Sequence, residues 1–240
     1  MTGRGAWNVA GVGGTTKYKD ATKPGPYYFL GTGKAPDGRK RDANEFAVFR
    51  AVIAYQRALN RAGYKLADDG FLGDKTSAAL FDYQTKHPEC GTPWGGVGPD
   101  TSKSLLLPLA QATHAEHADS RIPLKVLTGV VKTESLWDAG AVGATDDNDL
   151  GLAQINGPSH PDLDVYERTL PVVAFNFVLD YLTNALNQLD GNIRDAVASY
   201  NLGIGGARTW IKAGRPEIWQ PTATSAPRNV SNYIDNILAG

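Results

Sequence analysis

The sequence predicts a mainly α-helical protein, with a small three-helix module ahead of a larger and mostly helical domain. Three observations carry this. Apolar residues recur at three-and-four spacing in four separate stretches, and Pro, Asn and Gly punctuate those stretches where helices start and stop. The length, 240 residues, set against the ~150 residues of a typical domain, fits two modest domains better than one. With 42% hydrophobic and 20% charged residues, the composition excludes a disordered chain, a coiled coil or a collagen-like repeat. The single cysteine, Cys90, leaves no internal disulfide, so stability has to come from packing.

The first segment, residues 1–43, is a basic Gly-rich extension. Cut at two composition shifts, the near-neutral chain resolves into +5 over residues 1–44, −2 over 45–120 and −4 over 121–240. Lys17, Lys19, Lys23, Lys34, Arg39, Lys40 and Arg41 supply the excess among Gly-Pro turns. A solvated extension, a nucleic-acid arm and a contact with an anionic polymer are the readings of such a run, and no nucleic-acid partner is expected. Within it, residues 26–30 (Pro-Tyr-Tyr-Phe-Leu) suggest a short strand or packed loop. Residues 1–20 contain no apolar segment of the ~7–15 residues that export needs, and the longest apolar run, 105–110, is far short of the ~18 of a membrane span. The expectation is a chain made in the cytosol, without membrane insertion, that reaches any site outside by another route.

From Glu45 the pattern turns helical. Phe46, Phe49, Val52, Ile53, Gln56, Leu59 and Asn60 share a face, and Gly63 stands where a helix C-cap would. A Gly-rich turn over residues 68–74 leads to a second helix with Thr76, Ala79, Leu80 and Tyr83 on one side. A third starts at Pro99-Asp100, proline being favourable at the first helical position. Residues 71–77 and 96–102 echo one another, each a Gly turn entering a helix. Tyr55-Gln56-Arg57-Ala58-Leu59-Asn60, Asp69-Gly70-Phe71-Leu72-Gly73, Tyr83-Gln84 and Val97-Gly98-Pro99-Asp100-Thr101 resemble the three-helix peptidoglycan-binding domain appended to wall hydrolases. The resemblance spans residues 44–108, with residues 88–94 as an insertion.

Residues 109–120 are polar and Ala-rich, fitting a linker or, preferably, the opening helix of the next domain. His114, Glu116 and His117 stand one turn apart, but no third ligand follows at a recognised spacing, so no metal and no cofactor is expected. The next helix holds Leu124, Leu127, Val130 and Val131 in an apolar stripe that also contains Glu134. A carboxyl there is either hydrogen-bonded in the core or exposed in a cleft at the helix end. Partial desolvation would raise its pKa, as a general acid near neutral pH requires. A Gly and Asp loop follows, with Asp146, Asp147 and Asp149, then Gly151-Leu152-Ala153-Gln154-Ile155-Asn156. A long helix carries Phe175, Val178, Leu179, Leu182, Leu186 and Leu189 on one face. Gly191-Asn192 then caps a short helix ending in Ser199-Tyr200-Asn201-Leu202-Gly203, with turns at Gly203, Gly205 and Gly206. The final helix holds Tyr233-Ile234 and Ile237-Leu238.

Glu134-Ser135, then Gly-Leu-x-Gln-Ile, then x-Tyr-Asn-x-Gly, in that order and spacing, resemble the soluble lytic transglycosylases and goose-type lysozymes over about residues 115–240, within a domain expected at residues 109–240. The resemblance implies a lysozyme-like catalytic domain with Glu134 as the catalytic acid and Ser135 positioning substrate or the Glu side chain. It further implies Gln154 hydrogen-bonding sugar, Gly151 allowing close approach of the glycan, and Tyr200, Asn201 and Tyr233 lining the cleft. Core packing is the alternative for both tyrosines. Asp147 or Asp149 stands where a goose-type enzyme places a second carboxylate, the alternative being a solvated turn; Asn156 occupies a position that is often Asp in that family.

The implied reaction cleaves the β-1,4 bond between N-acetylmuramic acid and N-acetylglucosamine without water, leaving a 1,6-anhydromuramoyl end. Hydrolysis, as in a goose-type muramidase, stays open. Chitin cleavage would leave the binding-module resemblance unexplained. With no export segment expected, the chain looks like a bacteriophage endolysin or virion-carried lysin: a monomer whose partner is bacterial peptidoglycan and whose role is host lysis. A catalytically inactive wall-binding virion protein is the remaining alternative.

Overall fold

The computed structural model describes residue 28 and residues 43–119, 121–143 and 148–240. Most of the basic extension, and Asp146 and Asp147 with it, lie outside the described residues. Seven α-helices, two short 3-10 turns and four two-residue strands occur among the described residues, so the chain is mainly helical as its periodicity predicts. None of these helices is long and apolar enough to cross a membrane.

Helices α1 (Ala43–Arg61), α2 (Asp74–Lys86) and α3 (Pro99–Glu116) follow the predicted starts, and Gly63 closes α1 at φ +99°. The echo between residues 71–77 and 96–102 has a physical basis in two buried glutamines, each 1% exposed. From α1, the Gln56 amide donates to the Phe71 carbonyl (3.1 Å) and the Thr76 hydroxyl (3.3 Å), while its oxygen accepts from Gly70 N at 3.0 Å. One element later, Gln84 of α2 donates to the Gly96 carbonyl (2.8 Å) and the Thr101 hydroxyl (2.9 Å) and accepts from Trp94 N and Gly95 N. Each glutamine thus satisfies the backbone of the Gly turn ahead and the first turn of the next helix. A buried amide is stable only with its donors and acceptors filled; both sites use a glycine N–H, a main-chain carbonyl and a threonine hydroxyl, and Gln56 donates in addition to Asp69 Oδ1 at 2.7 Å.

Helix α3 departs from expectation. The Ala-rich stretch after residue 108 is helical to Glu116, as preferred, and joins the second unit from Ala110, but it continues α3 where a separate helix was expected to open. Pro108 costs the helix one bond, the one its N–H would make to the Ser104 carbonyl. The buried face nevertheless continues across it, through Thr101, Ser102, Leu105, Leu106, Ala110 and Thr113.

The described residues group into two compact units, one drawn from Met1–Leu109 and Glu134–Ala174, the other from Ala110–Thr133 and Phe175–Gly240. In the first, α1 and α2 pack through Ala51, Val52, Tyr55, Leu59, Leu80 and Tyr83, all buried. Tyr28 forms an antiparallel bridge with Val97 and is wholly buried, in keeping with the short strand or packed loop expected there. The remainder of this unit holds a small antiparallel ladder, β1 (Asp149–Leu150) on β2 (Ile155–Asn156), with Val142 bridged to Leu150 on its other side.

The second unit holds most of α4 (Leu124–Ser135) and α5 (Pro171–Gln188), with α6 (Ile193–Lys212), the ladder of β3 (Ile218–Trp219) on β4 (Arg228–Asn229), and α7 (Val230–Ala239). Every apolar residue predicted for the buried face of α5 is buried. Asn192 caps α6 by accepting from Arg194 N and Asp195 N, again as predicted. The end of α6 is different. Gly203 takes a non-helical conformation (φ 70°, ψ 157°) that bends the helix, but Gly205 and Gly206 do not stop it, and the helical run resumes to Lys212. The buried Ala207 and Trp210 give this second limb an apolar face of its own, which outweighs the poor helix propensity of two glycines.

Gly129 allows α4 and α7 to approach closely, since a Cβ at this position would lie against the Ile237 carbonyl. Alanine is favoured over glycine in a helix by ~0.5–1 kcal/mol, whereas overpacking against fixed backbone costs ~1–3 kcal/mol. Gly129→Ala is therefore expected to destabilise the protein by about 1–2 kcal/mol. At roughly 2–4 °C per kcal/mol for a chain of this size, thermal unfolding followed by circular dichroism should show Tm lowered by about 2–8 °C. A raised Tm would contradict this packing.

Candidate active site

Glu134 is half-buried at the next-to-last position of α4, and Ser135, buried, ends the helix. The chain then turns through two consecutive residues with side chains in the left-handed region, Leu136 (φ 52°) and Trp137 (φ 65°). Each costs on the order of 1–2 kcal/mol relative to a right-handed conformation, so the turn has to be held from outside.

Hydrogen bonds within the first unit hold it. The Ser102 hydroxyl of α3 lies 2.5 Å from the Trp137 carbonyl and 3.2 Å from the Tyr55 hydroxyl of α1. Ala139 N donates to that same Tyr55 oxygen at 3.4 Å. Asp138 is 0% exposed, and its Oδ1 accepts from the Tyr28 hydroxyl (2.7 Å) and Gly140 N (2.8 Å). Burial, and after it the charge of Asp138, push the Tyr55 hydroxyl far above the ordinary phenol range, so it stays neutral beside that carboxyl. Tyr28 and Tyr55 also meet edge-on, with ring centroids 5.4 Å apart.

The second element of the site is the β1–β2 hairpin. Gly151 (φ 72°) and Gln154 (φ 47°) both take left-handed conformations in its turn. A Cβ on Gly151 would lie against the Arg168 carbonyl, so the fold itself reserves this position for glycine. The Gln154 amide donates to the Gly151 carbonyl at 3.0 Å. Asp149, half-buried, accepts at 2.9 Å from the Asn156 amide across the ladder. Asparagine suits that position because an aspartate there would put two carboxylates face to face.

Arg168, for which the sequence offered no signal, clamps the hairpin by donating from Nη1 to the carbonyls of Asn148 (2.5 Å) and Ile155 (3.2 Å). Burial holds its guanidinium below the usual arginine range, partly offset by Asp149 and Asp164. Nothing in the sequence marks Asp138 for this site, and Tyr28 is marked only as part of a short strand or packed loop. Asp138 follows a helix end, where an acidic residue usually reaches solvent, and Tyr28 lies fifteen positions before the first helix.

Glu134, Ser135, Asp149, Gly151 and Gln154 therefore belong to one unit, and Tyr200, Asn201 and Tyr233 to the other. Asp146 and Asp147 fall outside the described residues. Tyr200 is half-buried in α6, edge-on to Tyr181 (5.1 Å) and Phe177 (6.4 Å), while the Tyr181 hydroxyl donates to the Ser199 carbonyl at 2.7 Å. Asn201 is exposed, and its carbonyl and side-chain oxygens accept from Arg228 at 2.6 and 3.3 Å. Tyr233 is half-buried in α7. His114 bonds the Ile122 carbonyl (2.7 Å) and His117 bonds Asp180 (3.1 Å), and no group of three metal-ligating side chains exists among the described residues.

Residues 111–220 match the family model described as the transglycosylase SLT domain. The matched region begins in the second half of α3, contains Glu134, the hairpin, Tyr200 and Asn201, and ends before Tyr233. No curated protein matches the chain.

The turn after Glu134 should be sensitive to donors far away in sequence. Tyr28→Phe removes one hydrogen bond to a fully buried carboxyl and is expected to lower the unfolding free energy by about 1–3 kcal/mol in urea titration, with an unchanged m-value. Stability equal to that of the unaltered protein would mean that Tyr28 does not brace this turn.

Proposed function

We propose that the chain is a peptidoglycan lytic transglycosylase acting as an endolysin. In this reading residues 44–108 bind the wall, residues 109–240 cut the glycan, and residues 1–43 form a basic preface. The observation that carries the reading is the match of residues 111–220 to the transglycosylase SLT domain, with Glu134 inside it at the end of a helix. The family description supports peptidoglycan as substrate, and the glycine turns and paired glutamines of α1–α3 favour a wall-binding role for the first module.

In the proposed reaction Glu134 donates its proton to the oxygen between N-acetylmuramic acid and N-acetylglucosamine as the C1–O bond breaks. The substrate's own 2-acetamido group stabilises the cation developing at C1. The Glu134 carboxylate then takes the proton of the muramoyl C6 hydroxyl, whose oxygen attacks C1 and closes the 1,6-anhydro ring. One carboxyl serves as acid and then as base, so the cycle returns it protonated with no water consumed. Ser135, Gln154, Tyr200, Asn201 and Tyr233 are assigned to substrate contact, and the protein works as a monomer without cofactor.

A hydrolytic outcome would need a second carboxylate to direct water. Asp149 is the described candidate, since it belongs to the same unit as Glu134, but its Oδ1 already accepts from Asn156.

Glu134→Gln is expected to reduce clearing of wall suspensions by about 10²–10⁴-fold while leaving the circular dichroism spectrum unchanged. Equal clearing by both proteins would end the role given to Glu134. Mass spectrometry of the released muropeptides should show ends one water lighter than hydrolysed ones, with Asp149→Ala leaving that outcome intact. Hydrated ends alone, together with a loss of about 100-fold in Asp149→Ala, would establish the muramidase mechanism instead.

A further inference from the structure

A cleft of about 280 Å³ in the first unit has no part in this reaction. Arg50, Arg57 and Arg61 line it, and their spacing of seven and four residues places all three on one face of α1. Ile53, Leu170 and Pro171 contribute apolar wall.

The charge in this cleft is out of balance. Arg57 pairs with Asp68 at 2.9 Å. Arg50 is 3% exposed; its Nε donates to the Thr169 hydroxyl at a long 3.4 Å and its guanidinium stacks 3.6 Å over the Tyr166 ring, yet no carboxylate pairs with it among the described residues. Arg61 likewise makes no ion pair among them. Guanidinium does not shed its proton under ordinary conditions, and a buried cation is costly without an anion. Burial first, with the like charge of Arg57 acting in the same direction, holds Arg50 and Arg61 below the usual arginine range, partly offset by Tyr166 at Arg50 and by Asp68 at Arg61, so an incoming negative charge beside the cleft is favoured.

We propose that this cleft binds a free carboxylate of the peptide portion of peptidoglycan, so that the protein grips the peptide while it cuts the glycan. The ligand class rests on the reading above. The guanidinium forks of Arg50 and Arg61 donate to the two carboxylate oxygens, and an alanine methyl covers Ile53, Leu170 and Pro171. The volume stands at the lower end for ligand pockets and suits one or two small residues. A phosphate polymer would meet the charge but would leave the apolar wall bare.

Calorimetric titration of the full-length protein with N-acetyl-L-alanyl-D-glutamate tests the site. Saturable binding is expected, weakened at least fivefold in Arg61→Gln, whose side chain is exposed and makes no ion pair among the described residues, and at least tenfold in Arg50→Met. It should disappear when both peptide carboxyls are capped as amides. Sacculi stripped of peptide by an amidase should bind the unaltered protein and Arg61→Gln equally. Arg61→Gln titrating like the unaltered protein, equal binding of the amide-capped peptide, or binding of glycerol phosphate in place of the peptide would each overturn the proposal. Cutting of peptide-free glycan strands tests the glycosidase reading separately: a protein that binds the peptide and cuts no glycan keeps the pocket and loses that reading.

Discussion

Two consecutive residues at positive φ, Leu136 and Trp137, form the constraint on which the first unit is organised. Neither is glycine, and together they cost on the order of 2–4 kcal/mol, a large share of the stability of an ordinary domain. The cost is offset because groups of the turn find partners far away in sequence: Ser102 of α3 at the Trp137 carbonyl, Tyr55 of α1 at Ala139 N, and Tyr28 at the Asp138 carboxyl. Without those partners the turn would relax and Glu134 with it, since Glu134 is only two residues before Leu136.

The same logic governs α1–α3. Gln56 and Gln84 each replace missing backbone partners in a Gly turn, one oxygen accepting from the turn and one amide donating beyond it. These two clasps fix where α2 and α3 begin, and the start of α3 sets where Ser102 falls. Ser102 is the residue after Thr101, the threonine that Gln84 engages. The glutamine clasp and the brace on the turn are therefore consecutive residues of one helix turn.

Helices read well from the sequence because their signal is local. The starts at Pro99 and Asn192 and the buried face of α5 followed from spacing and capping residues alone. The reading failed where a nonlocal contact outweighed a local preference. Pro108 and the pair Gly205-Gly206 both signal an end, yet the helix persists in each case because an apolar face continues beneath it. Among the site residues, Glu134 was visible as a carboxyl inside an apolar stripe. Arg168 and Asp138 were not, since an arginine whose partners are backbone carbonyls leaves no pattern at any spacing. Gly151 stands at positive φ against the Arg168 carbonyl, a requirement for glycine that a nonlocal contact sets and no sequence spacing shows.

The proposed chemistry explains why such bracing would be placed at this turn. A glycosidase with two carboxylates divides proton donation and nucleophilic assistance between two side chains, and each can be positioned for its own task. With a single carboxyl, proton delivery to the leaving oxygen and proton removal from the C6 hydroxyl fall to the same atoms at two successive geometries. An error in orientation then weakens both steps, and rates depend steeply on displacements of about 1 Å. A helix end locked by Ser102, Tyr55 and Tyr28 keeps the backbone under the half-buried Glu134 fixed. Bracing the backbone beneath the carboxyl fixes the point from which a one-acid mechanism has to reach both oxygens.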